Sequence, residues 1–180
     1  MLFEIYYLGE LDRYVGHVSD LLREAFSSKC VVEEIRGGEE VDQCYNRFRG
    51  QYHAEALAAY VSRIKRYGGS IAVALFDLDA YVPQLNFVFG LALPGLRVAT
   101  VYTPRLRYMA DDKLFIERLR KEVLHEVGHV LGLEHCSNRR CVMSFSNSIL
   151  EVDAKEARFC VRCTDKLARR GVRLGPGYSL

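Results

Sequence analysis

The sequence predicts an α+β fold, α/β-like in its N-terminal part. A mixed twisted sheet with packed helices leads into a histidine-bearing helix and a cysteine-rich C-terminal region. Three observations predict it. Strand-like and helix-like segments alternate through the first hundred residues, a helical pattern over 113–131 carries closely spaced histidines, and four of the six cysteines lie from Cys136 onward. A length of 180 residues with 49% hydrophobic content suffices for one domain with an ordinary core and excludes the composition of a disordered chain. We therefore read 1–180 as a single domain, in which 1–132 supplies the sheet and the histidine-bearing helix and 133–180 forms the C-terminal region.

Each element follows from local pattern. "LFEIYYL", Leu2 to Leu8, is aromatic and branched and stops at Gly9, which reads as a strand. From Asp12 to Phe26, Val15, Val18, Leu21, Leu22 and Ala25 recur at helical spacing. Cys30 to Ile35 reads as a second strand, ended by Gly37 and Gly38, and a second helix is expected over Tyr52 to Tyr67 before Gly68 and Gly69. "SIAVALFDLDAY" reads as a buried strand and "LRVATVYTPRL" as another, with "LNFVFGLALPG" between them as a strand or extended edge. Asp111 or Asp112 caps a helix from Lys113 through Leu131, with Gly132 as its stop. A last helix is expected over Asp153 to Arg170, and Gly171 onward as a tail.

Charge and apolar content narrow the functional classes. Twenty-five Lys and Arg against twenty-three Asp and Glu give a net charge of +2, too even to indicate a nucleic-acid surface. No apolar run approaches the roughly 18 residues of a membrane span, and the N-terminus lacks the pattern of a signal peptide. The expectation is a soluble, cytoplasmic monomer in which cysteines ligate metal or stay free.

The chemistry concentrates in "HEVGHVLGLEHCSNRRCVM", residues 125–143. His125 and His129, four apart on a helix, project from one face and can grip one ion. Glu126 lies about 100° round the helix from His125, where its carboxylate can reach a water on that ion without being a ligand. Gly132 permits a left-handed turn, so His135 can swing back as third ligand. Three neutral imidazoles leave a fourth position open, as catalytic zinc sites do. His17 and His53 lack such company and read as surface or packing residues. A second constellation joins Cys136 and Cys141 to Cys160 and Cys163, a spacing that matches a closed tetrahedral zinc site. Paired disulfides or a redox centre are the alternatives, and Cys30 and Cys44 read as isolated thiols. Two Zn²⁺ per chain are expected, one catalytic and one structural.

These residues, with "CVRC" at 160–163, resemble the metzincin zinc peptidases and, within them, the archaemetzincins. The resemblance covers about 125–163. It implies a metzincin-like catalytic domain that hydrolyses peptide bonds, with His125, His129 and His135 as zinc ligands and Glu126 as general base and acid toward the zinc-bound water. It also implies Met143 as the methionine of the turn beneath the metal, and Cys136, Cys141, Cys160 and Cys163 as the second zinc site. Two departures stand out: Phe145 occupies the place where some metzincins carry a tyrosine that reaches the zinc, and sixteen residues separate Met143 from Cys160, one fewer than the family spacing. The oxyanion-stabilising donor is thereby left unnamed.

A peptide or small protein is the expected substrate, lying along a sheet edge for which "LNFVFGLALP", residues 85–94, is the candidate, with Gly90 leaving room for a neighbouring chain. Glu134 reads ordinarily as a solvated loop charge, with a role in supporting the site or in a subsite as the alternative. Two other readings compete: a zinc-binding module for protein or RNA with a vestigial histidine site, supported by basic residues from Arg139 to Arg173, and a hydrolase of small amides. Glu126 argues against the first, because a binding module has no use for a base beside an open metal.

Overall fold

The computed structural model describes residues 1–180. The chain order is β1 (Leu2–Leu8), α1 (Asp12–Phe26), β2 (Lys29–Glu34), α2 (Glu39–Asp42), β3 (Tyr45–Asn46), β4 (Gln51–His53), α3 (Ala54–Ile64), β5 (Ile71–Phe76), β6 (Ala80–Tyr81), β7 (Gly90–Leu93), β8 (Val98–Tyr102), α4 (Asp112–Val130), α5 (Ile149–Ala154) and α6 (Val161–Arg169). The main sheet has the order β2-β1-β5-β8-β7, parallel except for β7, which runs antiparallel to β8 at one edge. β3, β4 and β6 form a small second sheet that no sequence pattern announced.

Side chains of the central strands divide between two cores, as the two-residue strand period requires. Ile71, Val73 and Leu75 of β5 join Phe3, Ile5, Ala99 and Val101 under α1 and α4. Ala72, Ala74 and Phe76 face the other way, with Tyr6, Val98 and Tyr102, onto Leu57, Ala58 and Val61 of α3. β5 is buried throughout, which is why it reads as a continuous apolar run rather than an alternation. Residues of the C-terminal region, including Leu133, Val142, Met143, Phe159 and Leu167, enter the α1/α4 core.

Several boundaries differ from the sequence expectation for identifiable reasons. The helix expected to reach Tyr67 ends at Ile64, because the buried Glu4 carboxylate accepts from the backbone N–H groups of Arg66 and Tyr67 and turns the chain there. The strand expected over 70–81 breaks after Phe76, where Asp77 accepts from Thr103 and Asp79 forms a two-pronged pair with Arg105. The helix expected over 153–170 is two helices. Lys155 turns inward to Glu122, and Phe159 N–H donates to Tyr178 O, so 155–160 cannot stay helical. The expected tail is bound: Tyr178 is buried and donates to Glu24, and Gly175 N–H donates to Ala25 O. No helix is long and apolar enough to cross a membrane.

Candidate metal centres and active site

α4 begins where Asp111 accepts from Leu114 N–H and passes under the β7 edge of the sheet. From Glu122 to Gly128 every residue is buried, so the helix presents its polar side chains into a cavity rather than to bulk water. At its end Gly132 takes φ +88°, and Leu133 N–H donates to Gly128 O. This left-handed turn reverses the chain and returns His135 to the helix face.

The three histidines meet. Their nitrogens lie within 4.8 Å of one another, with Nε2 of His125 and His129 3.1 Å apart. In His125 the Nδ1 faces Val142 O at 2.7 Å, and in His129 it faces Leu133 O at 2.8 Å. Each carbonyl fixes the Nδ1–H tautomer and leaves the Nε2 lone pair pointing at the common centre. Two such lone pairs face to face repel unless a cation lies between them. Tetrahedral zinc with N ligands at its usual distance would separate them by about 3.3 Å. Burial lowers all three imidazoles toward their neutral, ligating form, most strongly His125, with the Lys155 charge adding to the effect. His135 is the outermost, with the half-exposed Phe145 ring edge-on to it at 5.0 Å between centroids.

Glu126 stands beside this centre without a hydrogen-bond partner in the protein. Burial raises its carboxyl well above the usual value, the Glu122 charge adds to that, and Lys155 opposes it. Space for it comes from Gly90 of β7, where a Cβ would stand 2.5 Å from Glu126 Oε1. Gly90 was expected to make room for a neighbouring chain; the side chain it admits is that of Glu126. Gly128 does the same for Met143, whose Sδ would lie 2.3 Å from an added Cβ. Met143 is fully buried.

The four cysteines also converge, with their sulfurs within 4.8 Å of one another. Cys136 and Cys160 stand 3.7 Å apart, as do Cys141 and Cys163. These separations are far beyond the roughly 2.05 Å of a disulfide and close to the roughly 3.8 Å edge of a tetrahedral zinc–thiolate site. Burial pushes the Cys141 thiol up to about 11, and Cys163 also rises through burial and the neighbouring sulfurs. Four thiolates in this space therefore require a cation. The turn between the centres serves both: Val142 O orients His125, and Met143 O accepts from the N–H of Cys136, next to His135.

The cleft has a volume of about 510 Å³ and runs between β7 and the segment after Met143. Of the expected edge 85–94, only Gly90–Leu93 is strand, and it is the free edge of the sheet. Glu134 lines the cleft mouth but is largely exposed and 4.0 Å from Lys166. The residues that sequence reasoning missed are Glu122 and Lys155, a buried ion pair in the cleft wall with N and O 2.8 Å apart. Glu122 carried a signal, one turn before Glu126 on the same helix face; Lys155 carried none. His17 and His53 lie outside both clusters, as do the free thiols of Cys30 and Cys44.

The chain as a whole is similar to known proteins. Residues 2–169 match the family model Peptidase family M54. The chain is 40% identical over 174 residues to the archaemetzincin of Nanoarchaeum equitans, covering 97% of this chain and 94% of that protein. Over 129 residues it is 50% identical to the archaemetzincin of Aeropyrum pernix, 69% of each chain. The crystal structure of archaemetzincin from Methanopyrus kandleri superimposes with a TM-score of 0.83 at 37% identity, covering 94% of both chains. With that match across nearly the whole chain, and with its histidine and cysteine clusters, the chain belongs to peptidase family M54, the archaemetzincin family of zinc metallopeptidases.

Proposed function

We propose that the chain hydrolyses peptide bonds with Glu126 as general base and acid, using one zinc held by His125, His129 and His135 and a second, structural zinc held by Cys136, Cys141, Cys160 and Cys163. The observation that carries this reading is the buried, unpartnered Glu126 carboxylate beside three inward-pointing imidazole nitrogens. Zinc in the histidine site supplies Lewis acidity toward a water and the substrate carbonyl. Glu126 takes a proton from the attacking water at its carboxylate and passes it to the leaving amine nitrogen. Val142 O and Leu133 O hold the imidazole tautomers through that transfer. The free edge of β7 binds the substrate backbone as an added strand, so a peptide or small protein fits the cleft better than a compact amide. Met143, packed against Gly128, supports the histidines from below. The four-cysteine centre fixes the backbone at Cys136 and hence the direction of His135.

The test is a mass-spectrometric screen of a mixed peptide library with zinc-loaded protein beside Glu126→Ala and His129→Ala, each with its metal content counted. Cleavage by the wild type alone, with Glu126→Ala keeping two zinc ions and His129→Ala keeping one, supports the assignment. Cleavage by Glu126→Ala at the wild-type rate overturns it.

A further inference from the structure

The pair Lys155–Glu122 is placed where a substrate side chain would end. Both residues line the cleft, yet the Lys155 side chain is 1% exposed and that of Glu122 is 4% exposed. Their 2.8 Å contact is an ion pair, but its angles are not those of a hydrogen bond, so Glu122 Oε1 is buried without a hydrogen-bond partner. The Lys155 ammonium has three N–H groups, and its other neighbour, Ser144 O, is a long 3.5 Å away. The pair therefore has neutral net charge but unmet capacity to donate and accept.

The direction of the helix assigns the substrate position. β7 runs antiparallel to β8, with Gly90 opposite Val101 and Leu93 opposite Val98. Glu122 lies one turn before Glu126 on α4, toward Arg118, which donates to Leu106 O and Tyr108 O just beyond the end of β8. Moving from Glu126 to Glu122 is thus moving off the Gly90 end of β7. A peptide laid antiparallel on β7 runs from the Leu93 end to the Gly90 end, so its C-terminal half passes over Glu122 and Lys155. An apolar side chain entering there would close off both polar groups and satisfy neither, and a charged one would add an unpaired charge to a balanced pair. A carboxamide offers an oxygen to the Lys155 ammonium and N–H groups to the Glu122 carboxylate.

We propose that Lys155 and Glu122 form the specificity-determining floor of the cleft and select a carboxamide side chain, glutamine or asparagine, on the residue that follows the scissile bond. This rests on the peptidase reading given above. A pocket built around hydrogen-bonding groups discriminates against a ligand that leaves them unpaired more strongly than an apolar pocket discriminates by size.

The experiment uses two peptide-like hydroxamates that differ only in the side chain after the zinc-binding group, carboxamidoethyl or isobutyl, titrated calorimetrically into the zinc-loaded full chain. The wild type is expected to bind the carboxamide compound at least ten-fold more tightly. In the double variant Glu122→Leu/Lys155→Met, which removes both charges together and strands neither, that preference should disappear or reverse. Matched peptides with Gln or Leu after the scissile bond should show the same order in kcat/KM. Equal or tighter binding of the isobutyl compound by the wild type overturns the proposal, as does a carboxamide preference that survives in the double variant. The wild-type comparison decides the matter even if the double variant fails to fold. Binding of neither compound to zinc-loaded protein would instead defeat the peptidase reading and this proposal with it.

Discussion

Replacing Gly90 with alanine should disable Glu126 without touching it chemically. The new Cβ would stand 2.5 Å from Glu126 Oε1, 2.6 Å from its Cγ and 2.8 Å from its Cδ, where ordinary contact begins at 3.4 Å. The carboxylate must therefore shift by about 0.9 Å, away from β7 and into the cleft that it lines. A displacement of about 1 Å at a reacting group costs on the order of 100-fold in rate. Gly90 has no positive φ, so alanine is compatible with its backbone, and the three atoms nearest the new methyl all belong to Glu126. The expected outcome is a fall of about 100-fold in kcat with two zinc ions retained and a thermal midpoint near that of the wild type. The assay is steady-state cleavage of a library-derived peptide, with metal counting and a melting curve on the same sample. A Gly90→Ala protein of wild-type kcat would refute the idea that β7 sets the position of Glu126.

Other perturbations reach different parts of the account. Gly128→Ala should lower stability by about 1–2 kcal/mol in urea unfolding despite the better helix propensity of alanine, because its Cβ would overlap Met143 Sδ; an unchanged midpoint would show that Met143 moves freely. Cys163→Ser should release the structural zinc to a chelator and also weaken the histidine site, through Cys136 and His135; catalytic-site affinity equal to wild type would disprove that coupling. The Arg118 guanidinium holds the Asp153 carboxyl below its usual value of 3.8, so the stability this pair contributes is present above that pH and is lost as pH falls through the lower, folded value. The stability gap between wild type and Asp153→Asn should accordingly be full near about pH 5 and narrow below about pH 3.8. A gap that does not change between those pH values would remove Asp153 from the acid-sensitive set.

The parts of the molecule legible in the sequence were those whose physics is local. β1 and α1 appear with their expected bounds because turn residues and apolar periodicity define them within a few positions. The histidine and cysteine clusters were legible because metal geometry constrains spacing, and the structure brings each set within 4.8 Å. What local pattern could not supply were the consequences of distant partners. Glu4 ends α3 from sixty residues away, and Tyr178 and Glu122 together break the last helix in two. Gly90 was noticed, but its neighbour Glu126 is 36 positions further on and becomes visible only when β7 crosses α4. Lys155 was hidden for the same reason: in sequence it is one lysine in an amphipathic stretch, and only the fold makes it a buried cation in the cleft wall.

The most direct measurement compares kcat/KM of the wild type and Glu126→Ala on a single peptide identified from the library, both proteins carrying two zinc ions per chain. If Glu126 handles the proton at a histidine-held zinc, the variant should be slower by about 100- to 10,000-fold at unchanged metal content. Equal rates at equal zinc would contradict the account at its centre.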